Sequence, residues 1–327
     1  MAQTVRELGE QAIRQRLARY CPPEMIGDDG AVVALQQNNL VISTDVLVDG
    51  VHFSDRTTSG FDVGWRAAAA NLSDLAAMGA TPIGITVGLA LPETTSVSWL
   101  DELYVGMQAC LEPHQAQILG GDLVRSQIRT LAITAIGTVE PKHVIARNAA
   151  QVGDSILVTG PHGVSKAGLE LLLYPEKYPE LAVCDRNYLL QAHQRPQPRL
   201  DILPQLRLLS LSRAIAGMDS SDGLADAVCQ ICWKSGVGAE LDKAQLPIPD
   251  VLTQLATSET VEDWVLFGGE DFELVLCLPT KAAEQLVTSL GSSAKIVGRI
   301  IPGEQVVLRE GQFLRSLSLD DGFQHFA

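Results

Sequence analysis

The stretch Trp65–Met78, WRAAAANLSDLAAM, constrains the fold of this chain more than any other. Its alanines and leucines leave almost no polar face, so the helix predicted from about 61 to 78 is wrapped by other elements and largely buried. Asp74 is nevertheless embedded in it. A carboxylate carried into such a place needs a partner, because a buried unpaired charge is very costly. A structural salt bridge would serve; a cation shared with other carboxylates fits better, since acids outnumber bases here by 39 to 24.

Around that helix the pattern alternates. Strands are predicted near 31–35, 39–44, 83–90, 116–119 and 130–139, with a helix over 97–111 and another over 4–19. The second half reads as strands at 154–159, 214–218, 238–241, 274–278, 295–300 and 305–309, with helices near 163–173, 200–209 and 222–234. Mixed strands and helices throughout imply an α/β or α+β fold. At 327 residues the chain is comfortable as two domains, and Pro141-Lys142-His143 marks the boundary, giving 1–140 and 141–327.

The net charge of −15 repels nucleic-acid backbones and anionic membranes, so neither is an expected partner. The longest apolar stretch, Ala80–Leu91, is too short and too interrupted to span a bilayer. The opening MAQTVRELGEQAIRQRL is charged throughout and lacks a signal peptide's apolar core. Six cysteines include one CxxC, Cys229 and Cys232, inside an apolar helical pattern that reads as packed core. A reducing, cytoplasmic setting follows.

Six short segments carry the chemistry: Gly27-Asp28-Asp29-Gly30, Ser43-Thr44-Asp45, Asn71-Leu72-Ser73-Asp74, Gly120-Gly121-Asp122, Asp219-Ser220-Ser221-Asp222-Gly223 and Gly268-Gly269-Glu270-Asp271. Each alone reads as an ordinary turn. Two of them, Ser43-Thr44-Asp45 and Asp219–Gly223, form a faint echo, each a hydroxyl-plus-carboxylate cluster expected at the end of an apolar strand. The candidate ligands are all oxygens, without clustered His or Cys, which points to a hard cation. Magnesium takes one or two protein carboxylates and completes its shell with water and substrate phosphates. Several Mg²⁺ ions on a polyphosphate would also explain how so acidic a chain handles an anion. The GxxxxGK[ST], GxGxxG and protein-kinase motifs are missing.

With these segments in place, the chain resembles the thiamine-monophosphate kinase family, within the superfamily that includes aminoimidazole ribonucleotide synthetase. The matching segments are GDDGAVV (27–33), STDVLVDGVHF (43–53), NLSDLAAMGATP (71–82), GGD (120–122), RNAAQVGDSILVTG (147–160), DSSDGL (219–224), GGEDFEL (268–274) and GFQHF (322–326). Gly30, Leu123, Ser220 and Phe272 depart mildly from the family pattern. The resemblance implies a two-domain fold of that superfamily and a homodimer built through the N-terminal domains. It implies transfer of the ATP γ-phosphoryl group to thiamine monophosphate, giving thiamine diphosphate. It further implies that Asp29, Ser43, Thr44, Asp45, Asp74, Asp122, Asp219 and Asp222 hold Mg²⁺. Tyr104, Gly121, Asp122, Arg147 and Ser221 would contact ATP, and His52, Glu270 or Asp271, and Phe323 the thiamine side.

Some of these roles have independent support. Arg147 suits bidentate phosphate contact, with a salt bridge as the plainer reading. His52 would by itself read as a satisfied structural histidine, and Phe323 as packing or as a stacking face for a pyrimidine. The nucleophile is a phosphate oxygen whose second pKa is about 6, so no general base is expected. The reactive cysteines of selenophosphate synthetase and hydrogenase-maturation relatives have no counterpart here. Aminoimidazole ribonucleotide synthetase is the runner-up activity, and a catalytically silent binding protein the alternative of another class.

Overall fold

The computed structural model describes residues 28–35, 37–209 and 211–322. The helix expected over 4–19, Cys21 and the candidate Phe323 lie outside them. Five strands build the first sheet: β1 (Ala31–Ala34), β2 (Asn39–Val48), β3 (Thr81–Leu91), β4 (Gln117–Arg125) and β5 (Thr130–Val139). Their order is β1-β2-β5-β3-β4, antiparallel except for the parallel β3–β4 edge pair. Helices α1 (Gly60–Ala77) and α2 (Val97–Leu111) follow β2 and β3 in the chain. Strand β5 shows why one face is inward: Leu131, Ile133, Ala135 and Val139 are buried, while the alternate residues are only half covered.

Local chemistry sets the helix starts. Ser59 and Asp62 form a reciprocal capping box at α1, and Ser96 accepts from the Trp99 amide at α2. The two helices touch backbone to backbone. A Cβ at Gly64 would fall 1.9 Å from the Leu103 carbonyl oxygen, and one at Gly106 1.9 Å from that of Phe61, so nothing larger than glycine fits at either crossing.

The second sheet has seven strands: β6 (Ser155–Val158), β7 (Ala216–Asp219), β8 (Gly238–Asp242), β9 (Leu274–Leu278), β10 (Lys295–Ile301), β11 (Val306–Glu310) and β12 (Phe313–Leu317). They run in the order β12-β11-β8-β10-β6-β9-β7, with one parallel pair, β11–β8. Its helices are α3 (Val164–Leu173), α4 (Val183–Gln194), α5 (Leu203–Leu208), α6 (Leu224–Ser235), α7 (Asp250–Leu255), α8 (Ser258–Phe267) and α9 (Thr280–Leu290). Strand β9, between β6 and β7, is apolar at every position because both its faces are covered. Leu274, Leu276 and Leu278 belong to one core and Val275 and Cys277 to the other. The first core is therefore continuous from α1 and the first sheet into the second half, through Leu200, Leu203, Leu206 and Leu286.

Several expectations are corrected. Strand β2 does not stop at residue 44: the Ser43-Thr44-Asp45 backbone pairs with Ala135, Thr134 and Ile133 of β5, so these residues sit within the strand. Strand β4 likewise runs on through Gly120-Gly121-Asp122 to Arg125, paired with β3. The helix expected over 200–209 is a 3₁₀ turn, Arg199–Ile202, followed by α5. Helices α4, α7, α8 and α9 and strand β12 were not anticipated. Cys229 and Cys232 are buried side by side in the second core, where burial pushes both thiols up to about 12. Among the described residues no helix is long and apolar enough to cross a membrane.

Candidate active site: a cleft of carboxylates

Helix α1 brings the two halves of the site together. On its face toward the first sheet, the Ser43 hydroxyl donates to Asp74 Oδ2 and Asn71 Oδ1 accepts from the Asp45 amide at 3.3 Å. One residue earlier, the Ser73 hydroxyl donates to Asp219 Oδ2 at 2.5 Å, reaching the end of β7. Strand alternation decides which member of Ser43-Thr44-Asp45 takes part. Ser43 and Asp45 lie opposite the inward-facing Ala135 and Ile133, whereas Thr44 points to the other face and meets the Thr134 hydroxyl at 2.9 Å. The structure therefore does not bring the Thr44 side chain to the cluster.

Asp29, just before β1, completes it. One carboxylate oxygen each from Asp29, Asp74 and Asp219 lie within 4.8 Å of one another. Burial pushes Asp74 and Asp219 well above the usual carboxylate range, and like charge reinforces it: Asp45, Asp219 and Asp29 act on Asp74, and Asp29 on Asp219. Asp45 is raised to about 6 by burial and then by Asp29. Asp219 is 1% exposed, and its Oδ1 has no hydrogen-bond partner. A buried carboxylate oxygen without a donor, among like charges, is the arrangement a hard cation resolves. The donor set, the three carboxylates of Asp29, Asp74 and Asp219 with Asp45 and the Ser43 hydroxyl beside them, contains only oxygen.

Arg147 is the positive group beside the cluster. Its Nη2 and Nε donate to the two oxygens of Asp29 at 2.5 and 3.3 Å, its Nη1 to Gln230 Oε1, and its amide to Asp28 Oδ1 at 2.7 Å. It is a largely buried ion pair, with the guanidinium already engaged on three sides.

The loops on the second-half side are cross-bonded. The Glu270 amide donates to the Ser221 carbonyl at 2.7 Å, and the Ser220 amide to that of Glu273 at 2.8 Å. The segment Asp219–Asp222 and the segment Gly268–Glu273 are thus one unit. Within it the two acidic candidates separate. Asp271 is buried, its oxygens accepting from the Gly163 and Ser165 amides at 2.6 and 2.9 Å, so it caps α3. Glu270 takes a left-handed φ of 68°, is a third exposed, and pairs with Arg66 at 2.5 Å. His52 lies in the turn after β2, its Nδ1 accepting from the Val48 amide at 3.1 Å. Arg66 and His193, which also surround Glu270, escaped notice in the sequence. A lone arginine inside an alanine-rich helix was the available signal.

The remaining candidates lie elsewhere. Gly121 and Asp122 are on exposed edge strand β4, three strand spacings, about 14 Å, from β2. The glycine at 121 has a packing reason of its own, since a Cβ there would meet the Val87 carbonyl oxygen at 2.0 Å. Tyr104 sits in α2, partly buried against the first core. Asp222 and Ser221 follow β7 and are partly buried.

Comparison with known proteins adds the following. Family profiles described as "AIR synthase related protein, N-terminal domain" and "AIR synthase related protein, C-terminal domain" match residues 27–139 and 151–310. A Synechococcus elongatus protein named thiamine-monophosphate kinase is 50% identical over 98% of this chain and 97% of its own length. One of the same name from Prochlorococcus marinus is 37% identical over 98% and 96%. A solved structure described as "AaThiL complexed with AMPPCP and TMP" superimposes with a TM-score of 0.84 at 29% identity, covering 99% of both chains.

Proposed function

The chain belongs to the thiamine-monophosphate kinases of the AIR synthase related family, and on that premise we propose that it phosphorylates thiamine monophosphate from ATP, using Mg²⁺ held in the carboxylate cleft. The observation that carries the metal assignment is the buried, partnerless Oδ1 of Asp219 among Asp29, Asp45 and Asp74. Asp29, Asp74 and Asp219, with Asp45 and the Ser43 hydroxyl, are the residues that would hold the ion, and Asp222 extends the set along the loop after β7. When bound, Mg²⁺ supplies the charge neutralisation that a polyphosphate needs and that a chain of net charge −15 otherwise lacks.

An oxygen of the acceptor phosphate attacks the γ-phosphorus as the bridging β–γ P–O bond breaks, and ADP leaves. That oxygen is already largely deprotonated near pH 7, its second pKa being about 6, so the chain need only align the two anions. Glu270 is assigned to the cationic ring of thiamine, whose charge its carboxylate matches, with His52 beside it; the bonds of Asp271 to the Gly163 and Ser165 amides favour Glu270 over Asp271 for that contact. The histidines near Glu270 are engaged within the fold, His52 through Nδ1 and His193 with Arg66 and Ser165, which supports a route without a proton-abstracting base.

Arg147, Ser221, Gly121, Asp122 and Tyr104 are assigned to ATP. For the last three, on or behind the β3–β4 edge, the reading places the nucleotide near a homodimer face. Edge strand β4, with Leu119, Leu123 and Val124 exposed, supports such a face, as does Val46 on the outer side of β2. The division into an N-terminal dimerising domain, 1–140, and a C-terminal domain, 141–327, is supported by two sheets that share no strand. A cytoplasmic location is supported by the buried free thiols of Cys110, Cys229, Cys232 and Cys277.

The test is chromatographic detection of thiamine diphosphate from ATP and thiamine monophosphate, with and without Mg²⁺, in wild type and Asp219→Asn. Product is expected only with Mg²⁺, and the variant should lose about a hundredfold or more in kcat. A folded, ATP-binding wild type that makes no thiamine diphosphate would overturn the reading.

A further inference from the structure

Arg66 is the only basic residue of α1, and it is 3% exposed. Its guanidinium joins three segments far apart in the chain. Nη2 donates to the His52 carbonyl at 3.0 Å and to Glu270 Oε1 at 2.5 Å; Nη1 donates to the His193 carbonyl at 2.6 Å. The His193 ring lies against it, its nitrogens 3.2 and 3.3 Å from Nη1 and its Nδ1 3.2 Å from the Ser165 hydroxyl. Burial, and then the charge of Arg66, pushes His193 down to about 3, so the ring is neutral near pH 7 and Arg66 is the main group that balances Glu270.

The carboxylate so held is not at rest in an ordinary turn. Glu270 and Phe272 both adopt left-handed φ, 68° and 51°, a conformation in which side-chain-bearing residues are uncommon. Burial opposes the charge on Glu270, but Arg66 and the neighbouring histidines hold its carboxyl below the ordinary value. One of its oxygens is taken by Arg66, while a third of the side chain stays exposed. A charge kept ionised, pinned on one side and open on the other, is a preorganised binding group rather than a simple cross-link.

We propose that Arg66 is a positioning residue for the acceptor substrate: without touching thiamine monophosphate, its fork fixes the Glu270 carboxylate and the His52 turn at the ring end of the site. This rests on the reading of Glu270 as the substrate contact. Lysine would keep the charge but not the planar fork that meets carboxylate and two carbonyls together.

The experiment is steady-state kinetics on Arg66→Met, Arg66→Lys, Glu270→Gln and the Arg66→Met/Glu270→Gln double variant, each checked for native circular dichroism and melting. Glu270→Gln should raise the KM for thiamine monophosphate roughly tenfold, the size expected for one charge-assisted contact, with the KM for ATP within about twofold. Arg66→Met should do the same, Arg66→Lys less, and the double variant no more than Glu270→Gln alone, because Arg66 acts through Glu270. If Arg66→Met does not fold, Arg66→Lys decides: a selective rise in the KM for thiamine monophosphate supports the proposal. A folded Arg66 variant with that KM unchanged, with both KM values raised alike, or with effects additive to Glu270→Gln, overturns it. If Glu270→Gln itself leaves the KM unchanged, the underlying substrate reading fails instead.

Discussion

The two charged regions that α1 touches are built on opposite plans. In the carboxylate cleft, Asp29, Asp45, Asp74 and Asp219 crowd together with one arginine, itself paired to Asp29. In the Arg66 pocket, one cation faces one carboxylate, and neutral groups complete the contacts. The first stores repulsion that an added cation relieves; the second is balanced within the chain. A site for a metal-bound polyphosphate needs an unmet charge, whereas a site for a fixed organic cation needs a carboxylate that stays put. Seen this way, unbalanced electrostatics in a fold mark where the missing charge is to come from.

Breaking the Arg147–Asp29 ion pair in the cleft should have the largest effect. Arg147→Met leaves Asp29 buried among like charges and should cost about 4 kcal/mol in urea unfolding without metal, the usual size for removing one partner of a buried pair. The loss should shrink when Mg²⁺ is present; equal losses in both conditions would mean that the cleft is not the ion's site. Asp219→Asn should act the other way. It removes one of the repelling charges, so the metal-free protein should be no less stable than wild type. The stabilisation from saturating Mg²⁺, about 2.7 kcal/mol at a hundred times Kd, should disappear. Differential scanning calorimetry with EDTA and with Mg²⁺ reads both.

The pH dependence sharpens the contrast. Asp45 titrates at about 6 in the fold against an ordinary value of 3.8. A raised acid pKa contributes stability that is present below the unfolded value and lost as pH rises through the folded one. The metal-free protein should therefore lose about 2 kcal/mol of Asp45-linked stability between pH 4 and 7, and Asp45→Asn should abolish that part of the slope. His193, lowered to about 3, gives the opposite sign: stability is lost as pH falls below about 6.5, where the unfolded histidine binds its proton. The smallest effect is expected at Asp271. Asp271→Asn keeps one acceptor for the α3 amides and should cost about 1 kcal/mol, with the KM for thiamine monophosphate unchanged; a raised KM would return Asp271 to the substrate.

Much of this was legible in the sequence because it is local. Helix α2 and strand β9 have the predicted bounds, being an N-capped amphipathic run and a short apolar one. Asp74 was marked by an apolar helix that could not accommodate a lone carboxylate, and Asp29 and Asp219 by the recurrence of acidic segments that are each an ordinary turn alone. What escaped depends on partners distant in sequence. Nothing near Thr44 reveals that β2 continues and turns its hydroxyl away, because the pairing strand begins at residue 130. Glu270 and Asp271 are adjacent acids that differ only in what they meet, an arginine 204 residues away and amides more than a hundred away. Helix α4 has too weak an apolar face to announce itself, yet it delivers His193 to the pocket.

The shared core has a kinetic corollary. Leu200, Leu203 and Leu206 belong to the same apolar cluster as α1, so swinging the halves apart about the 141–143 connection would wet them, at about 2 kcal/mol for each fully exposed leucine. A gate that tears its own hinge opens rarely. The unliganded and loaded forms of such a molecule should scatter X-rays almost identically.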